Sequence, residues 1–204
     1  MMFEDTYKTI KEIATGQFKD RGSKFIGFAF PVCSEEDVKI IVADTKKKYH
    51  DASHHCYAYI LGSDKSAYRI NDDGEPSGTA GKPIHGQILS KDLTNILVIV
   101  IRYFGGTKLG VSGLINAYKQ SASEAINNAV IIEKTVDEIY EVTFDYLAMN
   151  DVMRILKDDQ IKQLNQEFEL ICKITFSIRK QMANKITDQL QKIDKTKVVY
   201  LRTE

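Results

Sequence analysis

The chain has 204 residues, 43% of them apolar and 27% charged, with 28 basic and 28 acidic side chains. That is the composition of an ordinary globular protein, long enough for one large domain or two small ones. A formal net charge of zero excludes a global electrostatic draw toward nucleic acid or membrane, so any nucleic-acid role must rest on a local patch. The first residues, Met1 to Lys8, lack a basic stretch followed by an apolar one, and no secretory signal is expected. Tyr7 to Phe18 and Lys24 to Pro31 read as two strands joined by the turn-rich Asp20-Arg21-Gly22-Ser23. Ser34 opens a helix with Asp37 three residues on, a capping-box variant, and Glu35 and Glu36 complement the helix dipole. Val38, Ile41, Val42 and Tyr49 form its buried stripe. Lys46, Lys47 and Lys48 fall in its last turn, where cations completing the dipole are a better reading than a nucleic-acid patch.

His54 to Leu61 is the next strand, with Tyr68 to Asn71 as its hairpin partner. The twelve residues Asp72 to Pro83 then hold three acids, three glycines and two prolines, which cannot pack as core and mark a functional loop or special turn. Thr79 and Pro83 open a helix through Leu89. Ile96 to Ile101 are six consecutive apolar residues, as in a strand covered on both faces. A turn spaced by Gly105, Gly106, Gly110 and Gly113 follows. Val111, Leu114, Ile115, Tyr118, Ala122, Ala125, Ile126 and Ala129 then recur at helical spacing. Strand, glycine turn and helix present free backbone amides to an anion at the helix N-terminus, and Arg102 and Lys108 add side-chain charge.

Beyond Ile131 the texture changes. Tyr140, Val142, Phe144 and Tyr146 alternate with polar residues; Asn150 caps a short helix bearing Val152, Ile155 and Leu156; a weak strand covers Gln160 to Asn165. Phe168, Leu170, Cys172, Ile174, Phe176 and Ile178 give the clearest period-two signal, Met182, Ile186, Leu190 and Ile193 line a helix, and Val198 to Leu201 supply a last strand. The order β-α-β-β-α-β is the ferredoxin-like plan. The prediction is an α+β protein of two domains, 1–131 and 132–204, the second binding or bracing without chemistry of its own.

Candidate chemistry concentrates in the first half. Gly78 to Pro83 partly matches a Walker A loop but lacks its first glycine and its metal-binding hydroxyl, and the turn glycines miss the dinucleotide spacing. Anion capture by the amides of Gly105, Gly106, Gly110, Ser112 and Gly113, with Lys82, Arg102 and Lys108, is what survives. The weak catalytic set is His54, Asp72, Asp73 and Glu75, with Ser77 or Thr79 as hydroxyl and Cys56 as a further nucleophile candidate. No closed metal-ligand spacing is present, and neither metal nor cofactor is expected. Three scattered cysteines, Cys33, Cys56 and Cys172, and no run of ~20 apolar residues predict a reduced, cytoplasmic protein that does not span a membrane.

Gly22-Ser23-Lys24-Phe25-Ile26-Gly27, His54 to Tyr59, Asp72 to Lys82, and Arg102-Tyr103-Phe104-Gly105-Gly106 with Lys108-Leu109-Gly110 together resemble the IMPACT family, in its bacterial YigZ-like group. The resemblance covers the first domain. It implies a left-handed βαβ fold like the second domain of a small-subunit ribosomal protein and domain IV of elongation factor G. The second domain resembles the ferredoxin-like domains of elongation factor G. Eukaryotic members regulate translation, so the resemblance implies structured RNA, the ribosome or a protein of translation control as partner, and no settled activity. Asn116 stands where many members carry arginine, one positive charge fewer on that surface.

Overall fold

The structure, a computed structural model, describes residues 5–204. They form two compact units, Tyr7–Lys134 and Thr135–Glu204, with Asp5 and Thr6 belonging to the second. The break falls after Lys134 rather than after Ile131, because strand β7 (Ile131–Thr135) pairs back with β1 (Thr6–Ile10).

The first unit is a five-stranded antiparallel sheet, in the order β2 (Ala14–Asp20), β3 (Ser23–Pro31), β6 (Ile96–Tyr103), β4 (His54–Leu61), β5 (Ala67–Asn71). Helix α1 (Glu35–Lys48) belongs to one face; α2 (Gly81–Ser90) and α3 (Gly110–Asn127) cover the other. The apolar run Ile96 to Ile101 is the central strand and is fully inaccessible. Ile96, Val98 and Val100 pack with Ile84, Leu114 and Tyr118, while Leu97, Ile99 and Ile101 pack with Val38. At ~1.5–3 kcal/mol per buried aliphatic side chain, this strand holds the unit's two apolar layers together. The capping box of α1 is formed, with Asp37 N–H on Ser34 Oγ and Ser34 N–H on Asp37 Oδ2.

Two expectations about the elements of the first unit change. Tyr7 to Phe18 is not one strand: it breaks at Lys11–Ile13, β1 leaves to pair with β7, and only β2 forms the hairpin with β3, across Arg21 and Gly22 at positive φ. Helix α3 buries Leu114, Tyr118, Ala122, Ala125 and Ile126 of the expected stripe, but not Val111 and Ile115. Those two are 60% and 39% exposed, while Ala117 and Ser121 turn inward. Small residues let α3 lie directly on β3: a Cβ on Gly27 would meet the Ser121 carbonyl oxygen at 2.5 Å.

The second unit is a four-stranded antiparallel sheet, order β11 (Lys197–Thr203), β8 (Asp137–Asp145), β10 (Ile171–Arg179), β9 (Ile161–Phe168). Helices α4 (Met149–Leu156) and α5 (Lys180–Gln191) complete the β-α-β-β-α-β order. Val142, Phe144, Ile174 and Phe176 face Val152, Leu156, Ala183, Ile186 and Leu190. The alternation from Phe168 to Ile178 spans a hairpin rather than one strand: Phe168 ends β9, and Leu170 in the turn is 94% exposed. Asn150 lies inside α4, whose N-cap is Ala148 after a 3-10 turn.

Candidate functional site

Strand β6 delivers the glycine turn. Gly105 lies against Gly22, where a Cβ would overlap the Gly22 carbonyl carbon at 1.9 Å, and its amide donates to Ser23 Oγ at 3.1 Å. Gly110 starts α3 at φ 74°, a backbone that favours glycine. The residue before it, Leu109, makes no side-chain cap, and the first turn of α3 contains no acid. Phe104 to Lys108 and Gly110 to Ser112 are exposed, Gly113 half-buried. The bend is open to solvent, with Lys108 exposed upon it, but the Gly105 amide expected to face an anion is already spent on Ser23 inside the fold. Asn116, one turn further along the helix, is exposed too.

The N-terminus of α2 differs. The Asp72 carboxylate accepts from the amides of Gly78, Ala80 and Gly81 at 2.9, 3.1 and 2.8 Å, so an anion of the chain itself fills that position. Lys82, in the first turn, is exposed. Asp72 has a capping role that its place in a candidate catalytic set did not anticipate.

Arg102 is not beside the bend as a free cation. It points inward, its side chain 7% exposed, and its Nη1 donates to Glu75 Oε1 at 2.6 Å. Its guanidinium lies 5.5 Å from the ring centres of both Phe25 and Phe104. The same Glu75 oxygen accepts from the Tyr118 hydroxyl at 2.8 Å. His54 Nδ1 is 2.9 Å from the Asp73 carbonyl oxygen, which assigns the proton to Nδ1 and leaves Nε2 facing Glu75 Oε1 at 3.8 Å. Asp73 accepts from the His55 amide and pairs with Lys46, each at 2.7 Å. Burial pushes the Asp73 carboxyl up, but the Lys46 ammonium and the His55 amide outweigh it and hold the group below the ordinary aspartate range.

His54, Asp73, Glu75 and Arg102 thus converge, whereas Lys82, in the first turn of α2, and Lys108, just before α3, are exposed to solvent. Of the nucleophile candidates, Ser77 is exposed on the 72–83 loop, while Cys56 and Thr79 are engaged elsewhere. Cys56 is fully buried, 3.3 Å from Tyr118 Oη and 3.0 Å from the Asp72 carbonyl, and burial pushes its thiol far up, which suits an inert packing cysteine. Burial likewise pushes the Tyr118 hydroxyl up. The Thr79 hydroxyl is occupied by the Pro76 carbonyl at 2.7 Å. Sequence reasoning assigned Tyr118 to the core stripe and Lys46 to the helix dipole, and missed that each also holds an acid of the 72–75 loop. An acid in a turn needs a partner, but nothing in the spacing points across 27 residues to Lys46 or 43 to Tyr118.

The model of the Impact N-terminal domain matches residues 21–126, just over half of the chain. The IMPACT family member YvyE of Bacillus subtilis is 35% identical over 170 residues, 80% of this chain and 78% of that protein. YigZ of Escherichia coli is 31% identical over 149 residues, 72% of this chain and 73% of that protein. Mouse Protein IMPACT is 37% identical over 97 residues, 45% of this chain and 30% of that protein. A crystal structure described as that of a hypothetical protein superposes with a TM-score of 0.77 at 24% identity, covering 98% of this chain and 99% of its own, which supports the two-unit fold alone. The spread of matches over bacterial proteins of similar length, together with the domain match, places the chain plainly: it belongs to the IMPACT family.

Proposed function

We propose that the protein acts in translation as a binding module, docking a phosphate-rich surface of structured RNA or the ribosome at the exposed start of α3. The observation that carries this reading is the uncapped N-terminus of α3, free of acids in its first turn and exposed beside Lys108. Backbone amides and a helix dipole favour a phosphate there, and folded RNA is read largely through shape and backbone. The neighbouring α2 already holds Asp72 at its own N-terminus, so the open position is a property of α3 and not of every helix. Lys82 adds a second exposed cation; Arg102, paired with Glu75, is assigned to holding the 72–75 loop. The translational role itself is taken from the resemblance to eukaryotic family members.

The test is binding to ribosomal RNA as a function of salt. Each phosphate-neutralising side chain removed should lower the slope of log affinity against log salt by about 1, so Lys82→Ala with Lys108→Ala should lower it by about 2. A double variant that binds as the wild type does at low salt overturns the reading.

Hydrolysis of a small phosphorylated or peptide substrate has one observation in its favour, the approach of His54 Nε2 to Glu75. A base and an acid require a nucleophile or a positioned water within hydrogen-bond reach. Phosphate release from a model phosphoester that disappears in His54→Gln would favour this reading over binding. Protein partnering alone would leave RNA binding absent and the exposed Phe104, Val111 and Ile115 as the contact residues.

A further inference from the structure

Each sheet with three or more strands ends in two edge strands whose outer backbone groups are unpaired by the sheet: β2 and β5 in the first unit, β9 and β11 in the second. Such an edge is a template for another strand, and proteins blunt it with charge, bulges or brevity. Whether it also suits a copy of itself can be read from the strand, because an antiparallel two-fold pairing sets each residue against a fixed partner.

Three of the edges give no such match at full overlap. In β5, Arg69 would meet itself, placing like charges together. In β11, Lys197 would face Thr203 and Val198 would face Arg202. In β2, Ala14 would face Asp20 and Thr15 would face Lys19. The fourth differs. With β9 fully overlapped, Lys162 faces Glu167 of the second copy, and by symmetry Glu167 faces its Lys162. Gln163 faces Gln166, Leu164 faces Asn165, and Ile161 faces Phe168.

The faces agree as well. Within the chain, Lys162 and Glu167 lie opposite Ser177 and Lys173 of β10, while Gln163, Gln166 and Phe168 lie opposite Phe176, Ile174 and Cys172, which belong to the core side. The register shift at Leu164 lets Lys162 and Glu167, an odd number of residues apart, share the outer face. Every opposed pair away from the bulge therefore joins side chains on the same face. The edge is also uncovered: Leu164 is 42% and Phe168 51% exposed, and all residues from Leu164 to Phe168 are exposed.

We propose that β9 pairs antiparallel with β9 of a second copy of this chain, joining two four-stranded sheets into one of eight strands, with reciprocal Lys162–Glu167 ion pairs fixing the register. Opposite charges directly across two strands stabilise the pairing, and like charges there oppose it. The bulge, elsewhere a guard against edge association, sits at the centre of this register and is matched by the bulge of the second copy.

The full-length chain, at rising concentration, is followed by sedimentation equilibrium. The wild type should shift from the 23.1 kDa of one chain toward twice that mass. Lys162→Glu places acids across the interface and Glu167→Lys places bases there, so each variant alone should remain at single-chain mass. Mixed in equal amounts they should associate, because both acids of the first variant then face both bases of the second. Wild-type chain that stays monomeric into the millimolar range, a single variant that associates as the wild type does, or a mixture that fails to associate overturns the proposal. Glu167 also faces Lys173 within the chain, so folding of Glu167→Lys is checked by circular dichroism. Should it unfold, amide exchange in the wild type decides: protection across 162–167 should rise with concentration, and protection independent of concentration overturns the pairing.

Discussion

Glu75 is the residue on which the loop between β5 and α2 turns. One of its oxygens is shared by a guanidinium and a phenol, with both ionic partners almost wholly out of water. Removing one member of a buried pair leaves the other uncompensated, so Arg102→Ala should cost about 3–5 kcal/mol in denaturant unfolding. Lys108→Ala, at an exposed position, should stay within about 0.5 kcal/mol. The contrast separates the two cations that the sequence put together: loss of RNA binding in Lys108→Ala at unchanged stability tests the bend, whereas loss in Arg102→Ala reports on folding. Asp73 adds a pH dependence. Its folded-state value lies below the ordinary 3.8, so its contribution is complete above that value and is lost as pH falls through the depressed one. Thermal unfolding followed on the acid side should therefore fall less steeply for Asp73→Asn than for the wild type. These roles were invisible in the sequence for a simple reason: a charged residue looks the same whether it faces water or a buried partner, and Arg102 directly follows six apolar residues that are all buried.

At the level of elements, legibility followed the strength of local signals. The β6 run and the Ser34–Asp37 box were readable because burial on two faces and a cap each leave a mark within a few residues. The break at Lys11–Ile13 was not, since β1 is drawn off by β7, more than a hundred residues away along the chain. The buried face of α3 was legible from Leu114 to Ile126 but not at its margins, where the apolar Val111 and Ile115 are exposed while the unassuming Ala117 and Ser121 turn inward. The two helix starts, α2 filled by Asp72 and α3 unfilled, then give a paired prediction. Asp72→Ala should destabilise the first unit by about 0.5–2 kcal/mol, as loss of a cap does. Ser112→Glu should do the reverse for α3, adding about 0.3–1 kcal/mol through the dipole while weakening RNA binding, because the new carboxylate would occupy the position proposed for phosphate. Calorimetry and a binding titration on the same variant check this; stability and affinity rising together would contradict the assignment of the bend.

For the molecule as a whole, the chain's path matters as much as its two cores. Residues 135–204 are not self-sufficient in the sequence, since Asp5 is part of that unit. Helix α5 has no side-chain cap from its own neighbourhood. Its first amide, that of Lys180, donates to the Val136 carbonyl at 2.9 Å. The Asp5 carboxylate takes Arg179 through Nε and Nη2 at 2.6 and 3.0 Å and a bond from the Gln181 amide, and the Arg179 bonds are the main cause holding its carboxyl below the usual range. A residue before the first unit thus completes the first turn of the last helix, satisfying amides that would otherwise face only water. No window-based reading of Lys180–Gln191 reveals this, because the capping residue is 174 positions away from Arg179. The consequence is local and measurable. Asp5→Ala should accelerate hydrogen exchange at the amides that open α5, Gln181 above all, and leave the central β6 of the other unit unchanged. Equal acceleration in β6 would mean that the two cores open as one cooperative body, and the division of the chain at Lys134 would then describe its contacts without describing how it unfolds.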